Sequence, residues 1–98
     1  MSITTKEFED FVQEMARIPV ENEAYSVLGL CGESGEVAEW YKKVTHRGDT
    51  SHTEKDLFKE LGDVLHYVTR LALARRWTLR HLMQGNVDKL RARRAKEH

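Results

Sequence analysis

Apolar residues recur along this chain three or four positions apart, as in α-helices, and do not alternate as they do in β-strands. A first helix is predicted after the capping box formed by Thr4 and Glu7, and it ends before Ile18-Pro19. A second helix is predicted from the N-cap Asn22 to about His46. The polar segment that follows contains the glycine expected after a helix.

Two more helices are predicted after this segment. Thr53 with Asp56 can start the third helix, which runs to about Arg76, and Thr78 can cap the fourth. The chain has one proline and six glycines among 98 residues, which favours helices over a turn-rich β architecture. We therefore expect an all-α fold, a helical bundle of about four helices, in a single domain over residues 1–98.

Charge divides the chain, although its formal net charge is zero. Residues 1–69 hold seven Lys/Arg against fourteen Asp/Glu, whereas residues 70–98 hold nine against two. Cys31 is the single cysteine, so no intrachain disulfide can form, and no N-terminal apolar stretch resembles a signal peptide or membrane span. These observations favour a cytoplasmic protein, and a domain of this size is expected to self-associate.

Two segments share one pattern at an offset of 27 residues. Residues 30–37 and 57–64 both read L-x-x-E-x-G-[ED]-V, and Trp40 then falls opposite Tyr67. A chance coincidence between two amphipathic helices is the alternative. If the repeat is real, the two central helices present equivalent faces to each other.

Each segment carries a pair of carboxylates three residues apart: Glu33 with Glu36, and Glu60 with Asp63. Residues at this spacing lie on one helix face. Glu33 and Glu60 also occupy rows of otherwise apolar residues, where an unpaired carboxylate is unfavourable. Four such groups indicate a divalent-metal site, and all-oxygen ligands suit Mg²⁺, with Mn²⁺ as a substitute. The alternative is a solvated face, or salt bridges to the lysines Lys42, Lys43 and Lys59.

Glycines inside the two segments support this hypothesis. A glycine inside a helix destabilises it by up to about 1 kcal/mol relative to alanine, so another interaction should compensate for this loss. We expect a close approach of the two helices, or of a phosphate, at these positions: Gly29, Gly32, Gly35 and Gly62. A helix kink without function is the alternative.

The segments G-L-C-G-E-S-G-E-V-A-E at 29–39, K-E-L-G-D-V-L-H-Y-V at 59–68 and N-V-D-K-L-R-A-R-R at 86–94 resemble those of a known family. This is the MazG-like family of the all-α nucleoside triphosphate pyrophosphohydrolases. The resemblance implies a Mg²⁺-dependent enzyme that converts a (d)NTP to the (d)NMP and pyrophosphate in nucleotide-pool housecleaning. Its single-domain form implies a metal site between two antiparallel central helices and completion by a homo-oligomer, a tetramer or dimer.

The resemblance also implies roles for single residues. Glu33, Glu36, Glu60 and Asp63 would bind the metal, and either Glu33 or Glu36 would accept the proton of the attacking water. The substrate would be held by Lys43, Asn86, Lys89 and Arg93. Trp40 and Tyr67 are candidates to stack on the base, although aromatic residues at helical spacing more often belong to the core.

Two other functions compete with this interpretation. The basic C-terminal part could bind nucleic acid, although no groove-reading motif accompanies it and nucleic acid is not the expected partner. The carboxylates could instead bind metal in a helical protein without turnover. Loss of nucleotide hydrolysis on replacing Glu60 would distinguish the enzyme from both alternatives.

Overall fold

A computed structural model describes residues 2–97 and contains four α-helices and no strand within them. In chain order these are α1 (Thr5–Met15), α2 (Glu23–Tyr41), α3 (Glu54–Ala74) and α4 (Leu79–Lys96). A π-helical turn, Lys42–His46, continues α2. The all-α prediction is confirmed. No helix in the described part is long and apolar enough to cross a membrane.

The helices begin at the predicted caps. The Thr4 hydroxyl accepts a hydrogen bond from the Glu7 amide at 3.0 Å, and Asn22 Oδ1 accepts one from the Tyr25 amide at 3.1 Å. A capping box opens α3 at Thr53, and another opens α4 at Thr78. These contacts satisfy amide groups that have no partner inside the helix, so each start is set by local sequence.

The helix ends differ slightly from the predicted ones. Regular α-helix in α2 stops at Tyr41, and the π-helical turn completes the predicted length to His46. The end of α3 is Ala74 instead of Arg76, because Arg76 adopts φ +60°, which lies outside the right-handed helical region.

Helices α2 and α3 are antiparallel. Arg75 Nε donates to Glu23 Oε1 at 2.7 Å at one end of the pair. At the other end, Trp40 Nε1 donates to the Thr53 carbonyl at 2.8 Å. Residues near the start of α2 therefore lie beside residues near the end of α3, in the antiparallel arrangement that the family resemblance implies.

One glycine explains how closely the two helices approach. A Cβ added to Gly29 would overlap the aromatic ring of Tyr67, so only glycine lets this ring lie against α2. An added Cβ would meet nothing within 4 Å at the other three: Gly32, Gly35 and Gly62. The expected close approach of the helices is thus confirmed at Gly29; at the other three, no neighbouring atom lies close within the described residues of a single chain, and the approach of a phosphate stays a prediction.

A buried arginine attaches the α1–α2 connection to α3. Arg70 is only 2% exposed, and its Nε donates to Ser26 Oγ at 2.8 Å. Its two terminal nitrogens donate to the carbonyls of Ile18 at 2.8 Å and Pro19 at 3.0 Å. A guanidinium group can hold three acceptors in this way because its N–H groups form a rigid planar fork.

Few apolar side chains are buried in the single chain. The buried apolar residues in the described part are Val12, Val20, Ala72 and Leu79. Helix α4 is joined to α1 by a hydrogen bond of 2.6 Å from the Leu79 amide to Glu9 Oε2. Much of α2, α3 and α4 therefore carries apolar residues on an open surface.

Candidate metal centre

Three carboxylates converge across the groove between α2 and α3. Glu33 projects from α2, and Glu60 and Asp63 project from one face of α3, where their spacing places them one turn apart. One carboxylate oxygen from each lies within 4.8 Å of the other two. We refer to these three residues as the carboxylate cluster. The structure thus brings together three of the four predicted metal ligands.

The fourth predicted ligand, Glu36, stands one turn farther along α2. It is exposed and lines the adjacent cleft together with Glu60. Its charge still reaches the cluster, because it contributes to the raised pKa of Glu33. Glu36 is therefore beside the cluster without belonging to its tight triangle of oxygens.

The cluster carries uncompensated negative charge. Burial raises the pKa of Glu33 above its ordinary value, and the charge of Asp63 and a hydrogen bond with Glu60 raise it further. No salt bridge involves the cluster among residues 2–97. Like charges held together in this way favour either a shared proton or a bound cation. The all-oxygen donor set of the three carboxylates fits Mg²⁺.

A cleft of about 390 Å³ opens next to the cluster. Its walls come from α2, the π-helical turn and the start of α3, and its lining residues are Glu36, Glu39, Trp40, Lys43, Ser51, His52, Asp56 and Glu60. The predicted substrate residues Trp40 and Lys43 therefore lie in this cleft. π-helical turns are rare and often occur at functional sites, which suits the position of Lys43.

The loop before α3 contributes two cleft residues that the sequence analysis missed, Ser51 and His52. The loop is ordered by Asp49, whose Oδ1 accepts from the Ser51 amide at 2.8 Å. This hydrogen bonding from Ser51 lowers the pKa of Asp49. The available signal was the position of a short polar loop between two motif helices, since such loops often carry binding residues.

Tyr67 lies outside the cleft. Its ring rests against Gly29, 6.2 Å from the ring of Tyr25, and it lines a second cavity of about 170 Å³. We call this the arginine cavity. It lies between the end of α1, the start of α2 and the middle of α3, and its polar lining residues are Arg17, Tyr25, His66, Tyr67 and Arg70. The two predicted stacking residues, Trp40 and Tyr67, thus face different spaces.

The remaining predicted substrate residues are on α4. Asn86, Lys89 and Arg93 are exposed, and α4 packs against α1 and α3 but not against α2 in the described part of the chain. None of the three lines the cleft or the arginine cavity. A single chain therefore does not bring these residues to the carboxylate cluster.

Comparisons with known proteins agree with this architecture. A family model described as the MazG nucleotide pyrophosphohydrolase domain matches residues 21–98. The Gene 37 protein of Mycobacterium phage L5 is 38% identical over 78 residues, an alignment that covers 76% of this chain and 68% of the phage protein. No solved structure matches the chain. The matched segment contains the whole carboxylate cluster and the cleft.

Proposed function

The chain belongs to the family of MazG nucleotide pyrophosphohydrolase domains, and from this premise we propose that it is a Mg²⁺-dependent nucleoside triphosphate pyrophosphohydrolase. The reaction is hydrolysis of a (d)NTP to the (d)NMP and pyrophosphate. The observation that carries the proposal is the convergence of Glu33, Glu60 and Asp63 within 4.8 Å across two helices. Hydrolysis of a triphosphate needs neutralisation of the phosphate charges, and a cation held by these three carboxylates would supply it.

The carboxylate cluster would hold Mg²⁺ or Mn²⁺, which supplies charge neutralisation and makes a bound water more acidic. In the proposed reaction, a water oxygen attacks the α-phosphorus. The bond between the α-phosphorus and the oxygen that bridges it to the β-phosphate breaks, and pyrophosphate leaves with that oxygen. Glu36 is the better candidate to accept the water proton, because it lies beside the cluster and outside its triangle of oxygens. The Lys43 ammonium would hold phosphate oxygens in the cleft as a point charge.

We also propose that the functional protein is a homo-oligomer, a dimer or tetramer. The single chain exposes 7856 Å², whereas a compact monomer of this mass should expose roughly 5,800 Å². Its radius of gyration is 16.2 Å, against about 13 Å for a compact domain of 100 residues. The excess of roughly 2,000 Å² is similar to the area that each subunit loses in an obligate homodimer.

The apolar residues on the open surface of the helices support the proposal that a second copy of the chain covers this surface. Leu28 on α2 is 72% exposed and Phe58 on α3 is 79% exposed. Helix α4 presents Met83, Val87 and Leu90 at helical spacing, and all three are exposed. Asn86, Lys89 and Arg93 lie on this same helix, so their proposed contact with substrate depends on the assembled protein.

The activity is tested by measuring pyrophosphate and monophosphate release from a panel of canonical and modified (d)NTPs with Mg²⁺. The native chain should produce both, and Glu60→Gln should lower turnover by at least about 100-fold, because a metal ligand is lost. Glu14→Gln is the matched control, since Glu14 is exposed on α1 and lines neither the cleft nor the arginine cavity. Its activity should equal that of the native chain.

The competing functions give different results in the same experiment. A metal-binding protein without turnover would be stabilised by Mg²⁺ and leave every triphosphate intact. A nucleic-acid-binding protein would show salt-sensitive binding that survives Glu60→Gln. For the oligomer, light scattering on a sizing column should report a dimer or tetramer, and a monomer at micromolar concentration would contradict the assembly. Leu28→Asp should weaken that assembly.

A further inference from the structure

The arginine cavity and the cleft lie on opposite sides of the carboxylate cluster, along one groove between α2 and α3. On α3, Asp56 and Glu60 line the cleft, whereas Tyr67 and Arg70 line the cavity. Because a helix rises 1.5 Å per residue, Arg70 lies roughly 10 Å beyond Asp63 along the helix axis. The cavity is therefore close enough to the cluster for one nucleotide to reach both.

Two residues of the arginine cavity sense the charges of the cluster. A hydrogen bond with Tyr25, then burial, raise the pKa of Tyr67, and the charge of Glu33 adds to the effect. Burial and the charge of Arg70 lower the pKa of His66, against the opposing charge of Asp63. Tyr67 follows Asp63 by about one turn of α3, and Gly29, which its ring covers, precedes Glu33 by about one turn of α2. The cavity therefore adjoins the cluster.

The back wall of the cavity is rigid and positively charged. Arg70 donates three hydrogen bonds to protein acceptors, and its guanidinium carbon lies 4.9 Å from the centre of the Tyr25 ring. Among residues 2–97 no carboxylate forms a salt bridge with it. A phosphate is a poor occupant here, because these Arg70 donors are already used and Lys43 serves the cleft on the other side.

One available side chain of the cavity can only donate hydrogen bonds. Arg17 is exposed and makes no hydrogen bond within the described residues, and a guanidinium group has no acceptor. His66 and the tyrosine hydroxyls can each donate or accept. A carbonyl oxygen on a ligand would accept from Arg17, and His66 or a tyrosine hydroxyl would accept from the ring N–H beside that carbonyl, whereas an amino group in the same place would face the donors of Arg17.

We propose that the arginine cavity receives the base of the nucleotide and selects bases with a carbonyl oxygen where cytosine and adenine carry an amino group. This inference rests on the proposed function, since it gives the substrate a direction in the groove. The base would lie in the cavity, and the phosphates would extend past the cluster toward Lys43. The rings of Tyr25 and Tyr67 supply aromatic surface for the base. A space of about 170 Å³ suits a planar ring system better than a whole nucleotide.

Matched pairs of substrates test the inference, because dUTP differs from dCTP, and dITP from dATP, at the carbonyl or amino group and at the adjacent ring nitrogen, which carries a hydrogen only in dUTP and dITP. The native chain should prefer dUTP and dITP by about 10-fold or more in kcat/KM, the effect expected when donors in a site lose their acceptor. In the double variant Arg17→Met/His66→Phe the ratio should fall to within about 2-fold. Most of that change should come from slower turnover of dUTP and dITP.

Arg91→Met is the matched control, because Arg91 is an exposed arginine on α4 that lines neither space. It should keep the native ratio. Equal use of the paired substrates by the native chain would overturn the inference. So would an unchanged ratio in the double variant, or an equal loss on all four substrates, which would indicate a phosphate-binding or structural role.

A second measurement separates this inference from the proposed function. If the native chain cleaves no triphosphate, the proposed function fails, and calorimetric binding of dUMP and dCMP still tests the cavity. Tighter binding of dUMP that disappears in Arg17→Met/His66→Phe would support base selection. Equal binding of the two monophosphates would overturn it.

Discussion

Replacing Gly29 with alanine tests the packing that holds the two central helices together. In most helices this change is favourable, because alanine stabilises a helix by up to about 1 kcal/mol relative to glycine. At Gly29 the new Cβ would overlap three atoms of the Tyr67 ring. The ring is partly buried between α2 and Tyr25, so it cannot simply rotate into solvent.

The balance of the two effects gives the expected sign. Overpacking of this kind destabilises proteins by about 1–3 kcal/mol, which exceeds the gain in helix propensity. We therefore expect Gly29→Ala to lower the free energy of unfolding by about 1 kcal/mol and Tm by about 4–8 °C. Gly85→Ala is the control, because an added Cβ at Gly85 meets nothing within 4 Å and should raise Tm.

Thermal unfolding of both variants at one protein concentration, which keeps any oligomer comparable, provides the measurement. A background with Tyr67→Ala isolates the contact, since Gly29→Ala should become stabilising once the ring is gone. The reasoning is refuted if Gly29→Ala and Gly85→Ala shift Tm equally. It is also refuted if the effect of Gly29→Ala is unchanged without the ring.

Three further predictions concern the site and its supports. The raised pKa of Glu33 means that the folded, metal-free protein binds this proton more tightly than the unfolded chain, so stability falls as pH rises from the ordinary carboxyl pKa through the raised one. Without metal, Glu33→Gln should therefore raise Tm at pH 7 but not at pH 4, and the variant should lose the stabilisation that Mg²⁺ gives. Calorimetry of both proteins with and without Mg²⁺ is the measurement, and equal Tm values for the native chain and the variant would contradict the prediction. Arg70→Met leaves the carbonyls of Ile18 and Pro19 without their donor and should destabilise the fold by about 3 kcal/mol or more in urea unfolding, whereas a loss below 1 kcal/mol would mean that water replaces the guanidinium. Trp40→Phe removes the hydrogen bond to the Thr53 carbonyl and should raise KM for the triphosphate more than it lowers kcat, because it loosens the loop of the cleft; an unchanged KM would separate that loop from substrate binding.

Helix starts were predictable because each depends on a cap within four residues. Thr4, Asn22, Thr53 and Thr78 all cap the helices they were expected to cap. The end of α3 was less predictable, since the positive φ of Arg76 reflects how the chain turns toward α4 and no glycine marks it. The π-helical turn after Tyr41 likewise has no signature in the apolar spacing.

The candidate site was predictable where it depends on helix periodicity and uncertain where it depends on how helices cross. Glu60 and Asp63 share one face of one helix, so their proximity follows from spacing alone. Whether Glu33 or Glu36 faces them depends on the crossing of α2 over α3, and only Glu33 joins the triangle. Asn86, Lys89 and Arg93 came from the family resemblance, and a single chain does not bring them to the cleft.

The repeated pattern places equivalent residues of α2 and α3 at different ends of the groove. Trp40 follows Glu33 by seven residues, and Tyr67 follows Glu60 by the same number. Because α2 and α3 are antiparallel, two aromatic residues at equivalent positions of the repeat lie at opposite ends of the groove. The surroundings then differ, since Trp40 is beside Lys43 in the cleft whereas Tyr67 is beside Arg70 in the arginine cavity. A nearly symmetric pair of helices thus carries a cluster of carboxylates between two unlike spaces, and under the proposed function this difference would make a nucleotide, whose two ends differ, bind in one orientation.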